Sequence, residues 1–145
     1  MYFGSYSHTL DDKGRLFIPR QLKNGLSEGS KLYIMQGFEG CLSVYNESEF
    51  QKLINECSSL SYNKKNSRAY LRVMLASVSE LIVDKVGRIQ LPAAILNKYQ
   101  ISREVVVVGI IDHFEIWDSV KFNNYQNEAN DHFEELAESL DKDNE

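Results

Sequence analysis

Two cysteines, two prolines and three histidines in 145 residues leave out whole classes of protein. Cys41 and Cys57 lie 16 positions apart with no Cys-x-x-Cys pair, so no disulfide framework or zinc ribbon is encoded and reduced thiols are expected. His8, His113 and His132 show no metal-ligand spacing to one another or to the cysteines. No metal or other cofactor is therefore expected. Apolar runs are short, and even residues 104–111 are only strand-sized, so no membrane span is expected. The opening Met1-Tyr2-Phe3-Gly4-Ser5 lacks the basic and apolar regions of a signal peptide, which implies a cytoplasmic protein. The phosphate-binding loop, the dinucleotide fingerprint and the nucleophile elbow are all missing. The adjacent carboxylates Asp11 with Asp12, and Glu134 with Glu135, read as solvated pairs. Nothing indicates a catalytic residue, an enzyme or a small-molecule substrate.

Cations are also outnumbered, 16 to 21, and the net charge of −5 argues mildly against a nucleic-acid partner. The distribution reverses that argument. Residues 112–145 hold 11 acidic and 2 basic side chains, a net −9, which leaves residues 1–111 at +4. A mildly basic body with an acidic tail is a different object from a uniformly acidic chain.

The two prolines occupy one equivalent place in a repeat. Asp11-Asp12-Lys13-Gly14-Arg15-Leu16-Phe17-Ile18-Pro19 returns 73 positions later as Asp84-Lys85-Val86-Gly87-Arg88-Ile89-Gln90-Leu91-Pro92. Two like units that bury their cores against each other are implied. The match extends outward. Residues 20–24 and 93–99 read as short helices with each proline at the first helical position. Lys31 to Met35 and Val105 to Val108 follow as β runs. A one-residue shift then aligns Gly37 with Gly109, Val44 with Ile116, Tyr45 with Trp117 and Phe50 with Phe122. Alternation at 41–45 and 114–117 marks half-buried strands. Asn46 and Asp118 stand as caps of longer helices. Phe122, Tyr125, Ala129, Phe133, Leu136 and Leu140 form one apolar stripe on the second of them. The organisation is α+β: a first repeat at 1–57, a connecting loop and helix at 58–79, and a second repeat at 80–140 ending in a helix. An acidic tail at 141–145 is expected to fray.

The repeated element is a charged glycine turn. Asp11 and Asp84 can accept hydrogen bonds from backbone N–H groups two or three residues on. Gly14 and Gly87 can supply positive φ. Each arginine leaves the turn with alternate apolar residues facing inward behind it. One reading is purely structural: Asp11 pairs with Arg15, and Asp84 with Arg88, to pin a hairpin. The other follows from there being two copies. A pseudo-two-fold would place their cations side by side, where they can meet phosphates and base edges, and arginine is suited to bidentate contact.

The run from Gly4 through His8-Thr9-Leu10-Asp11-Asp12-Lys13-Gly14-Arg15 to Pro19 resembles the MraZ family. So do Asp84 to Pro92, and Val105 to Gly109 followed by Phe114-Glu115-Ile116-Trp117-Asp118. The resemblance spans nearly the whole chain. It implies a duplicated swapped-hairpin β-barrel of the AbrB/SpoVT type, with flanking helices and an internal pseudo-two-fold. It further implies a bacterial transcriptional regulator of the division and cell-wall gene cluster, cytoplasmic and nucleoid-associated. Such a protein forms a homo-oligomeric ring and binds short direct repeats of double-stranded DNA in its own upstream promoter. Carried over residue by residue, Lys13, Arg15, Lys85 and Arg88 become the DNA-binding residues, with Asp11, Gly14, Asp84 and Gly87 forming the turns. Val86 stands where the first copy has Lys13, so the copies should not contact DNA identically.

Three other functions compete. An antitoxin-like module would act mainly through a protein partner, but such modules usually carry one repeat and a disordered tail. A phosphate-cradling enzyme would need a general base or metal near the turns. A purely structural ring would make the turn cations dispensable. Lys64, Lys65, Arg68 and Arg72 form a second basic group, for which a solvated face or a contact with a neighbouring subunit's acidic helix outweighs a second nucleic-acid surface.

Overall fold

The computed structural model describes residues 1–143. Strand β1 (Ser5–Thr9) leads through the first charged turn into β2 (Arg15–Phe17), and a 3-10 turn at Arg20–Leu22 follows Pro19. Then come β3 (Lys31–Gln36), β4 (Leu42–Asn46) and helix α1 (Glu47–Cys57). Helix α2 (Lys65–Ala76) connects to the second series: β5 (Ser79–Ile82), β6 (Arg88–Gln90), α3 (Ala93–Lys98), β7 (Glu104–Ile110) and β8 (His113–Asp118). Helices α4 (Ser119–Asp131) and α5 (Phe133–Asp143) complete the described chain. No helix among the described residues is long and apolar enough to cross a membrane.

Local chemistry explains the element ends. The Asn46 side chain accepts a hydrogen bond from the Glu49 N–H at 2.8 Å, and Asp118 accepts one from the Lys121 N–H at 3.4 Å. Pro19 and Pro92 sit at the cap, one place before the expected first helical position, with φ of −51° and −60°. Neither site asks for a backbone donor. The one-residue shift between repeats falls in the hairpins. Gln36 pairs with Leu42 across five residues, whereas Gly109 pairs with Phe114 across four, so Gln36 and not Gly37 is the counterpart of Gly109.

Every strand pair is antiparallel, in a six-stranded sheet ordered β1-β7-β8-β4-β3-β5 and a separate ribbon, β2-β6. Among the described residues no ladder closes the two into a barrel. The order is symmetric about its centre. Strand β1 of the first repeat lies against β7 of the second, and β5 of the second lies against β3 of the first. Ser43 faces Glu115 at the middle of the sheet, and Leu16 faces Ile89 at the middle of the ribbon. Both are pairs of equivalent residues, so a pseudo-two-fold passes through both. One core joins the layers: Leu16, Ile18, Ile89 and Leu91 from the ribbon pack with Leu32, Ile34, Val44, Val107, Phe114 and Ile116 from the sheet. The halves therefore share a single interior.

Helices cover the other sheet face. Helices α1 and α2 bury Met35, Cys57 and Met74 in a smaller cluster. On the second half, Trp117 meets Phe122 and Tyr125 of α4 at 5.6 and 5.1 Å between ring centres. Both cysteines are free and buried, and burial pushes the two thiols up, Cys41 most strongly.

The single C-terminal helix expected from the apolar stripe is two helices, with His132 as the break (φ −118°, ψ 20°). The stripe divides there. Phe122 and Tyr125 rest on Trp117, whereas Phe133, Leu136 and Leu140 are exposed by 68%, 51% and 61%. Residues 141–143, assigned to a frayed tail, continue α5; Asn144 and Glu145 lie outside the described residues.

Candidate nucleic-acid interface

Each charged turn is built on its aspartate. Asp11 Oδ1 accepts from the backbone N–H of Lys13 at 3.0 Å and of Arg15 at 2.8 Å. Asp84 Oδ1 does the same for Val86 at 3.0 Å and Arg88 at 2.9 Å. The bonds reach two and four residues on, rather than two or three. The geometry requires left-handed backbone at the fourth residue, which Gly14 (φ 75°) and Gly87 (φ 86°) provide without steric cost. The second carboxylate oxygen takes the arginine. Arg15 Nε donates to Asp11 Oδ2 at 2.5 Å, and Arg88 Nε donates to Asp84 Oδ2 at 2.8 Å. The hairpin-pinning ion pairs are thus present in both copies. They engage only one edge of each guanidinium, leaving Nη1 and Nη2 as a donor pair.

The ribbon brings the two turns together. Period-2 alternation sends Leu16 and Ile89 into the core and Arg15, Phe17, Arg88 and Gln90 to the outer face. Register then sets Arg15 opposite Gln90, and Phe17 opposite Arg88. The Ile18 N–H bonds the Gly87 carbonyl at 3.1 Å, and the Leu91 N–H bonds the Gly14 carbonyl at 2.9 Å, so each turn is clamped by the other repeat's strand. Arg88 Nη1 lies 4.0 Å from Asp11 Oδ2 across the ribbon. Lys13 and Lys85 are exposed at the turn tips.

Two further cations, neither of them part of the repeated motif, join them. An added methyl group on Gly87 would lie 2.4 Å from the Lys23 ammonium, which places Lys23 over the second turn. Arg103 Nη2 lies 3.0 Å from Asp12, and its Nε donates to the Leu10 carbonyl at the first turn. The antiparallel ribbon explains Lys23: the exit of β2 lies beside the entry of β6. Three cations (Lys13, Arg15, Arg103) thus face two carboxylates (Asp11, Asp12) at the first turn, a local +1. At the second, Lys23, Lys85 and Arg88 face Asp84 and Glu28, also a local +1. Lys23 offsets the Val86 that replaces a lysine there. The only sequence signal for Lys23 was its place just after the repeated Pro.

The remaining polar groups lie elsewhere. His8 is half-buried in β1, and desolvation lowers its pKa. His113 stacks on Tyr45 with ring centres 4.6 Å apart. Arg68 donates to the Tyr62 and Asn63 carbonyls at 3.1 and 3.0 Å, and Arg72 donates to the Tyr62 hydroxyl at 3.3 Å. These two arginines hold the loop before α2. Among the described residues no group of three His, Cys, Asp or Glu is placed to hold a metal.

The hydrogen bond from the Arg15 N–H, with its neighbours, holds the Asp11 carboxyl below the usual range, and the Arg88 N–H does the same for Asp84. A depressed folded pKa contributes stability that is full above the unfolded value of about 3.9 and is lost as pH falls through the folded one. The turns are therefore expected to stay closed at neutral pH and to open only below the ordinary aspartate range. Amide exchange at Gly14 and Gly87 across an acid series checks this. Opening near pH 6 would exclude the aspartates as the cause.

The chain is similar to known proteins along nearly its whole length. The family profile described as "MraZ protein, putative antitoxin-like" matches twice, at residues 1–73 and 74–144. A protein named transcriptional regulator MraZ from Mesoplasma florum is 39% identical over 140 residues, covering 97% of this chain and 95% of its own. The one so named from Mycoplasmoides gallisepticum is 38% identical over 144 residues, 99% of each chain. That from Limosilactobacillus fermentum is 37% identical over 141 residues, 97% of each. Matched by the profile in both halves and along nearly its full length by these relatives, this chain belongs to the MraZ family.

Proposed function

We propose that this protein is a sequence-specific, DNA-binding transcriptional regulator of the division and cell-wall gene cluster, and not an enzyme. Lys13, Arg15, Lys85 and Arg88 contact the duplex, and the protein binds short direct repeats in its own upstream promoter. The observation that carries the reading is the β2-β6 ribbon, which presents Arg15 and Arg88 on one outer face with each guanidinium anchored by one edge. A two-stranded ribbon fits the DNA major groove, and an arginine with two free donors suits guanine or phosphate. The names of the relatives, transcriptional regulator MraZ, support the same class. The exchange of β1 and β5 between repeats supports a swapped-hairpin architecture of the AbrB/SpoVT type.

Binding to the fragment upstream of its own reading frame, against a scrambled fragment of equal length across a salt series, tests the function. Preferential binding that weakens steeply with salt is expected, because cations meeting phosphates release counterions. Equal, weak binding to both fragments would overturn it in favour of a protein partner.

The protein acts as a homo-oligomeric ring in this reading. Support comes from Phe133, Leu136 and Leu140, an apolar face left uncovered on an acidic helix, in a chain whose body is net basic. Leu136→Asp with Leu140→Asp is expected to reduce the assembly to monomers in sedimentation. DNA affinity should fall roughly 100-fold as linked weak sites are lost. An unchanged mass would remove this face from the assembly.

A further inference from the structure

The outer face of the ribbon is not two-fold symmetric, and its asymmetry has chemical content. Arg15 and Arg88 are equivalent, and so are Phe17 and Gln90, yet one of the latter is an aromatic ring and the other an amide. We infer that Gln90 and Phe17 set the base preference of the ribbon and give its DNA site a direction. This rests on the DNA-binding reading above and adds the residues that discriminate among sequences.

The Ile18–Gly87 and Leu91–Gly14 hydrogen bonds alternate with the two outer pairs. Arg15 with Gln90, and Phe17 with Arg88, therefore occupy non-hydrogen-bonded positions, where facing side chains come closest. Each pair works as a unit. At one end, Gln90 Nε2 donates to the Lys13 carbonyl at 3.1 Å, which orients the amide beside Arg15. Its second N–H and its carbonyl oxygen stay open, the pair that adenine N7 and N6 require. At the other end, the Arg88 guanidinium lies 5.7 Å from the centre of the Phe17 ring, and Phe17 is 51% exposed. That end offers an arginine donor pair beside an apolar surface, the complement of a thymine methyl group. The pairs are two residues apart along the strand, about 7 Å. That matches roughly two base-pair steps.

A symmetric ribbon would read the same bases from either end and select inverted half-sites. Here one end combines arginine with an amide, the other arginine with a ring. The bound sequence differs from its own reverse complement, which suits sites repeated head to tail. All four side chains leave the core untouched, since Leu16 and Ile89 alone face inward between them.

Selection from a randomised duplex library, followed by sequencing, tests this with the full chain, Gln90→Ala, Phe17→Ala and Phe17→Gln. Gln90→Ala is expected to lose preference at one base position by roughly 5- to 100-fold. Its salt dependence and assembly mass should not change. Phe17→Ala should change a different position, on the opposite side of the site. Phe17→Gln makes the two outer strand pairs equivalent, although the turn tips still differ, and is expected to shift selection toward inverted symmetry at the bases the pairs face. If the unsubstituted protein selects a sequence and all three variants select the same one, this inference fails and the DNA-binding reading stands. A uniform loss of affinity across all sequences would also overturn it, making Gln90 a positioning residue for the first turn. If the unsubstituted protein selects nothing, both fail together.

Discussion

Replacing Arg15 and Arg88 together with alanine is expected to abolish selective DNA binding while the protein keeps its fold and assembly mass. After its Nε bond to aspartate each guanidinium keeps both Nη nitrogens without a hydrogen bond, although Arg88 Nη1 also lies in ion-pair range of Asp11. A bidentate base contact contributes about 1–3 kcal/mol of discrimination. The arginines are neighbours, with Arg88 also 4.0 Å from Asp11, so their effects should couple rather than simply add. Two such contacts set an additive limit of roughly 30- to 25,000-fold, with the salt slope falling by about one for each phosphate contact removed. Stability should change little, because Asp11 and Asp84 keep their backbone partners. Fluorescence anisotropy across a salt series and a thermal melt separate the two roles. A lower melting temperature with unchanged affinity would make the turns structural hairpins only.

Leu16→Ala is expected to destabilise the entire molecule in one step. Leu16 is fully buried at the centre of the ribbon, facing Ile89 and the sheet residues of both repeats. Removing a buried leucine costs about 2–5 kcal/mol through lost transfer energy and the cavity left behind. Total stability of domains this size is about 5–15 kcal/mol. Ile89→Ala should behave alike, since it is the pseudo-symmetric partner. In urea the midpoint should fall with an unchanged slope and a single transition, seen equally by Trp117 fluorescence and far-UV circular dichroism. Two separated transitions, with only one sensitive to Leu16, would show that the repeats have independent interiors.

The repeat and the turns were legible because their signals are local. Asp11 and Gly14 act within four residues of each other, and a period of two marks Leu16 and Ile18 as inward wherever the ribbon ends up. Caps at Asn46 and Asp118 are equally short-range, and both form. The break at His132 was not legible. A helical stripe continues through it by periodicity, and only the packing of Phe122 and Tyr125 on Trp117 separates the part that rests on the sheet from the part that does not.

The amino-acid sequence alone determined which residues turn, which strands are half-buried and that one unit occurs twice. Tertiary structure decided the partners. Nothing local to Ser5–Thr9 specifies β7 as its neighbour, since its backbone N–H and C=O groups can pair with any open strand edge. Burying both repeats' faces in one interior chose that pairing. It also set Arg15 beside Gln90 and carried Lys23 to the turn of the other repeat, 64 positions further along the chain. A charge cluster of that kind belongs to no segment. It exists because hydrophobic burial, which has no direction of its own, is satisfied only when the two halves close on each other.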